Sequence, residues 1–314
     1  MLGTARESGR PKRAIRLPPA RPGDWMMSPA FFPRLGWHRD LADPRDLTAG
    51  HERVRELFAR LPRRNLTRSE KFSRAEKPAK IDLREYFLGV SDARDLRSST
   101  AEACVSLVQY FERRATGRIV DLSPLFLYKV TRRLLGQCGD TGADLRTTLK
   151  ALARFGAPPV AHGPTRESFD AEPDAFVYAL AKKWNDLAYV RLDPAETSGA
   201  KTLRTVRSYL AAGFPSVFGF SVPAAISTET EISFPTQFDD LRGGHAVVAV
   251  GYDDDRRIRS SKGALLVRNC WGETWGKHGY GWLPYRYVED MLASDFWTLL
   301  RPAWLESGEF EMPV

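Results

Sequence analysis

The chain has 314 residues, 43% of them hydrophobic, and a formal charge of +8 at pH 7, enough apolar material for one large domain or two small lobes around a real core. No run of about 18 apolar residues occurs, and the first thirty residues carry arginines and prolines in place of an apolar signal core, so the sequence reads as a non-membrane, cytoplasmic protein. Cys104, Cys138 and Cys270 lack the paired spacing of a disulfide scaffold or zinc knuckle, so reduced thiols with neither metal nor cofactor are expected.

Residues 1–24 set Arg6, Arg10, Lys12, Arg13, Arg16 and Arg21 against Glu7 and Asp24. Such a basic arm could touch nucleic acid or an anionic surface. No nucleic-acid fold signature or aromatic interleaving accompanies it, however, so the expectation is a solvated, disordered arm over residues 1–30. "GWHRDLADPRDLT" (36–48) reads as an extended segment laid on a surface. "HERVRELFARLPRR" (51–64) spaces Val54, Leu57, Phe58 and Leu61 as one face of an amphipathic helix closed by Pro62. After the basic linker "NLTRSEKFSRAEKPAK" the main domain is expected to run from 78 to 302, with residues 1–77 as a propeptide-like extension and 303–314 as a tail.

Within that domain, the apolar positions of 99–114 cover more than one face, which predicts a helix through the core. Helices are also predicted over 123–136, over 141–156 ending at Gly156, over 174–184 and over 202–213. The texture then changes. "PSVFGFSV", "GGHAVVAVGYD", "GALLVRNCW" and "GYGWLPY" are short β-rich runs bounded by Gly, Pro and Asp. Helices first and strands later predict an α+β protein with a helical lobe and a sheet lobe. The acidic run Asp253-Asp254-Asp255 reads as a solvated hairpin turn and not a cation site.

"GGHAVVAVGYDDD" followed by "GALLVRNCWGETWGKHGYGWLPY" resembles the papain-like cysteine peptidase family, in which a histidine opens one strand and an asparagine ends the next; His245 and Asn269 match those positions. The resemblance implies that the imidazole takes the nucleophile's proton, that Asn269 orients the ring from its other nitrogen, and that Trp271 shields that hydrogen bond. Upstream, "IDLREYFLGVSDARDLRSSTA" is similar to the bacterial members' run from Asp-Leu-Arg to Gly-Ser-Cys. "LFLYKVTRRLLGQCGDTGADLRTTLKALARFGAPP" is similar to their next helices and cleft loop, which holds Gly142. About residues 80–300 are covered, and "GWHRDLADPRD" resembles a segment that often precedes the domain. The implied fold is the papain-like two-lobe α+β fold, with a cleft lined by Arg94, Arg97, Gly142, Gly244 and Trp271.

Counted from Asp82-Leu83-Arg84 through Asp92, the family's nucleophilic cysteine falls on Ser99 and its oxyanion-stabilising glutamine on Ala93. Two glycines fall on Arg94 and Arg97. A serine hydroxyl is too basic to be held as a stable anion by a helix terminus and a histidine, as a thiol can be, and loss of an oxyanion donor costs about 100-fold to 1000-fold in turnover. The sequence "STAE" also has the form of a capping box, in which Ser99 caps the central helix and Glu102 reaches back to it. Cys104 reads as core, Cys138 as an exposed loop thiol, and Cys270 as a strand residue facing away from Asn269. The leading expectation is a catalytically impaired pseudopeptidase that binds a peptide or protein segment in the inherited cleft, with Arg94 and Arg97 favouring an acidic one. The alternatives are a peptidase using Ser99, a cysteine-to-serine inactivated peptidase, and an adaptor acting through the basic arm. A single engineered exchange would have left the glutamine and glycines in place.

Overall fold

The computed structural model describes residues 33–62, 77–224 and 226–313. The basic arm and the linker over 65–76 lie outside the described residues. In chain order the strands are β1 (Trp37–His38), β2 (Lys80–Asp82), β3 (Ala143–Asp144), β4 (Ala188–Arg191), β5 (Ser216–Pro223), β6 (Leu241–Ile258), β7 (Ser261–Arg268), β8 (Tyr280–Pro284) and β9 (Ala293–Leu300). The helices are α1 (Glu52–Phe58), α2 (Ser99–Thr116), α3 (Pro124–Leu134), α4 (Leu145–Phe155), α5 (Ala175–Ala181), α6 (Gly199–Ala211), α7 (Arg286–Glu289) and α8 (Pro302–Leu305). Seven strands form one antiparallel sheet in the order β4-β9-β5-β6-β7-β8, with β2 added on β6. This is the expected α+β arrangement of a helical layer and a sheet layer.

The core helix follows from its sequence. Ala101, Ala103, Cys104, Val105, Leu107, Val108, Tyr110 and Phe111 are all buried, because α2 has α3 and α4 on one side and β5 and β6 on another. It stops at Gly117, whose φ of 71° is the left-handed conformation that a C-terminal glycine adopts without strain. Phe111 stacks on Trp304 with ring centroids 5.0 Å apart, and Phe310 lies 5.6 Å from the same ring, so residues 304–310 complete this part of the core. Helix α1 buries Val54 and Phe58, the latter edge-on to Tyr209 and Phe214.

Three expectations are corrected here. Residues 36–48 lie on the surface only in part: Leu41, Ala42, Pro44 and Arg45 are exposed as expected, whereas Gly36, Trp37 and Asp40 are buried. Trp37 is buried, β1 pairs in parallel with β3, and the Asp40 side chain is fully enclosed. The buried part meets a charge cluster: Arg191 on β4 reaches Asp40, Asp46, Asp193 and Asp295, while Arg146 grips Asp46 with two hydrogen bonds of 2.7 Å. Asp40 and Asp46 belong to the segment and Asp295 to β9; burial nonetheless pushes the pKa of Asp40 up to about 7 and that of Asp295 up too, so the cluster fixes where the segment sits and does not by itself drive it inside. Nor is Asp253-Asp254-Asp255 a hairpin turn. It lies within β6 at an irregularity between Asp253 and Arg257, and its carboxylates meet Lys80, Arg207 and Lys262. Finally, Ser99 does not cap α2. The cap position is Ser98, without a side-chain cap bond, and Glu102 accepts from the Ser91 hydroxyl at 2.7 Å.

Candidate active site

Strand pairing sets the sheet side of the site. His245 sits on β6 opposite Phe220 of β5, and β7 runs antiparallel to β6 so that Asn269, one residue past its end, comes beside the imidazole. His245 Nε2 and Asn269 Oδ1 are 2.7 Å apart. The same oxygen accepts from the Cys270 backbone N–H at 2.8 Å. Since a backbone amide can only donate, this atom is the amide oxygen, and the imidazole therefore carries its proton on Nε2. Trp271 lies against the ring at 4.4 Å and 33°. Burial pushes the His245 pKa down to about 4 against the opposing pull of Asn269, so the ring is neutral near pH 7.

Ser99, the first residue of α2, faces this corner. Its hydroxyl oxygen accepts from the Ala246 backbone N–H at 3.3 Å, and no hydrogen bond joins it to His245, whose Nδ1 has no partner among the described residues. Ala93 lies beside Cys270, its backbone N–H donating to the Cys270 carbonyl at 2.8 Å, and its methyl offers no donor. Cys270 does not face away: its Sγ is 3.9 Å from His245 Nε2, because β7 has already ended and strand alternation no longer applies. Burial pushes both the Cys104 and the Cys270 thiols well up, which keeps them protonated, and Cys138 is exposed. No group of three or more His, Cys, Asp or Glu suited to a metal ion occurs among the described residues.

The remaining sequence-selected residues surround the segment 34–38. Arg34 N–H donates to the Arg94 carbonyl and the Ala143 N–H donates to the Gly36 carbonyl, both at 2.8 Å. A Cβ on Gly36 would strike the Arg97 carbonyl, and one on Gly142, which holds φ at +82°, would strike the Gly36 carbonyl. On the sheet side, Cβ atoms on Gly219 or Gly244 would collide with Trp37. The chain's own backbone thus fills the seam between Arg94, Arg97 and Gly142 on one side and Gly244 on the other. Ser99, His245 and Asn269 are left 2%, 1% and 2% exposed. The charges near this segment are paired within the chain. Arg94 pairs with Asp92 at 2.5 Å, the segment bears Arg34, and Arg34 pairs with Asp140 at 2.9 Å. Periodicity had no means of finding Trp37, whose indole N–H reaches Asp295 at 3.2 Å across 258 residues of sequence.

A two-layer α+β fold with a buried histidine–asparagine pair under a tryptophan defines a papain-like protein, and the chain belongs to the papain, or peptidase C1, family. The sequence model of the papain family cysteine proteases matches residues 183–291. An uncharacterized peptidase C1-like protein of Acanthamoeba polyphaga mimivirus is 31% identical over 220 residues, 66% of this chain and 68% of that protein. Among solved structures, xylellain, a cysteine protease from Xylella fastidiosa, is 30% identical with a TM-score of 0.67 over 86% of this chain and 97% of that one. The digestive procathepsin L 3 of Tenebrio molitor shares the fold at 20% identity, TM-score 0.53, over 72% and 70% of the two chains.

Proposed function

We propose that this protein is a papain-fold pseudopeptidase: Ser99 stands at the family's nucleophile position and Ala93 at that of its oxyanion glutamine, and the inherited cleft holds a peptide segment without cutting it. The observation that carries this reading is the closed corner. Ser99 is hydrogen-bonded to Ala246 and not to His245, while both side chains are enclosed. A general base must reach the proton it abstracts, and no hydrogen bond joins Ser99 to His245. Residues 34–38 supply the segment, and Gly142 and Gly244 make room for it. No helix among the described residues is long and apolar enough to cross a membrane, and the free cysteines suit a reducing cytoplasm.

The test is hydrolysis of an unstructured protein such as casein by the full chain, its Ser99→Ala variant and its His245→Ala variant. The expected outcome is the same background in all three. A rate that both substitutions abolish would replace this reading with serine chemistry on a papain frame.

A further inference from the structure

Between α2 and the end of β7 lies a small space of about 10 Å³, lined by Glu102, Ser106, Ala246, Arg268, Asn269 and Cys270 among others. That volume admits the centre of one water molecule. Two donors on its lining are orphaned: Asn269 Nδ2 and Arg268 Nε have no hydrogen-bond partner and no solvent contact, in residues 2% and 6% exposed. The rest of Arg268 is committed elsewhere, one terminal nitrogen donating to the Gly89 carbonyl at 2.7 Å and the other to the Asn269 carbonyl at 3.3 Å. Acceptors face the same space. Glu102 uses one carboxyl oxygen for Ser91; burial pushes its pKa up against the opposing pull of Ser91 and of the Arg268 charge, with which it forms no ion pair. The Ser106 hydroxyl donates to the Ala103 carbonyl at 2.8 Å and keeps its lone pairs.

Each buried donor left unpaired opposes folding, and a buried water normally makes two to four hydrogen bonds. We propose that this space binds one internal water, which accepts from Asn269 Nδ2 and Arg268 Nε and donates to the Glu102 carboxylate and to Ser106. Glu102 is then a positioning residue for the corner. The water holds the Asn269 amide by its nitrogen while His245 and Cys270 hold it by its oxygen, so the amide does not turn over and the imidazole proton stays on Nε2. The inference rests on Asn269 as the group that orients His245, and is independent of whether Ser99 reacts.

The experiment is NMR on the full chain: water-to-protein cross-peaks at the Asn269 side-chain amide, together with the ¹⁵N shifts of the His245 ring, in the wild type, Glu102→Gln and Glu102→Leu. A long-lived water cross-peak at Asn269 Hδ2 is expected in the wild type and in Glu102→Gln, which keeps an acceptor. In Glu102→Leu it is expected to vanish while the ring shifts move from one tautomer towards a mixture. Absence of the cross-peak in the wild type, where the Asn269 amide signals are themselves observed, overturns the proposal and needs no variant to fold. An unchanged His245 ring in folded Glu102→Leu overturns the positioning role of Glu102. The casein assay reads neither signal, so failure of the pseudopeptidase reading and failure of this one are separable.

Discussion

On the sheet side of the seam, His245, Asn269 and Trp271 interact through their side chains: ring on indole, Nε2 on Oδ1, Oδ1 on a backbone amide. On the helical side, residues 93–97 are tied in by backbone groups, with the Ala93 N–H on the Cys270 carbonyl, the Arg94 carbonyl on the Arg34 N–H, and the Arg97 N–H on Asp140, while Arg94 and Asp95 pair with Asp92 and Arg166. The difference has a consequence for how the sequence is read. A buried side-chain pair is costly to break from one side, since the abandoned partner keeps its desolvation penalty, whereas a stretch held by its backbone tolerates side-chain exchange at little cost. Folding alone therefore favours keeping His245 with Asn269, and depends less on the side chain at 97. An intact histidine–asparagine pair is not by itself a sign of turnover.

The largest test of this contrast is at Trp37, the side chain that closes the seam. Trp37→Ala is expected to cost about 3–5 kcal/mol in urea unfolding, the usual range for deleting a buried indole, and to expose residues 34–40 to amide exchange. A loss under about 1 kcal/mol would mean that the segment is dispensable and the corner open.

Next comes acid. A histidine whose folded pKa lies below its unfolded value of about 6.5 contributes stability that is complete above that pH and is lost as pH falls through the folded value, here about 4. The expected loss from this group between those limits is on the order of 3 kcal/mol. Chemical unfolding at a series of pH values, compared with His245→Gln, isolates it. The same midpoint shift with pH in both proteins would show that His245 is solvated and the enclosure wrong.

The smallest effect is expected on the other side. Arg97→Ala retains the Cβ and the backbone contacts, and should change unfolding stability by no more than about 0.5 kcal/mol. A loss several times larger would put its side chain on the same footing as the histidine pair and remove the contrast.

Periodicity and turn residues were sufficient for the helices from α2 to α6 and for β5, β7 and β8, because each presents an apolar face of the right spacing bounded by Gly, Pro or Asp. The His245–Asn269 pair was legible from its flanking glycines and tryptophans and from the family they resemble. The path of residues 33–48 was not legible. Asp40 and Asp46 look like part of a solvated run until Arg146 and Arg191, a hundred or more residues away, come within reach. Strand alternation likewise misplaced Cys270, since where β7 ends is decided by its partners and not by its own residues. The sequence by itself determined which residues are apolar, which can turn, and which carry a proton-accepting ring with an amide to hold it. Only the tertiary structure decided that the seam is closed, because a buried ion cluster and a fitted indole depend on groups far apart in the chain, and no local pattern encodes their meeting.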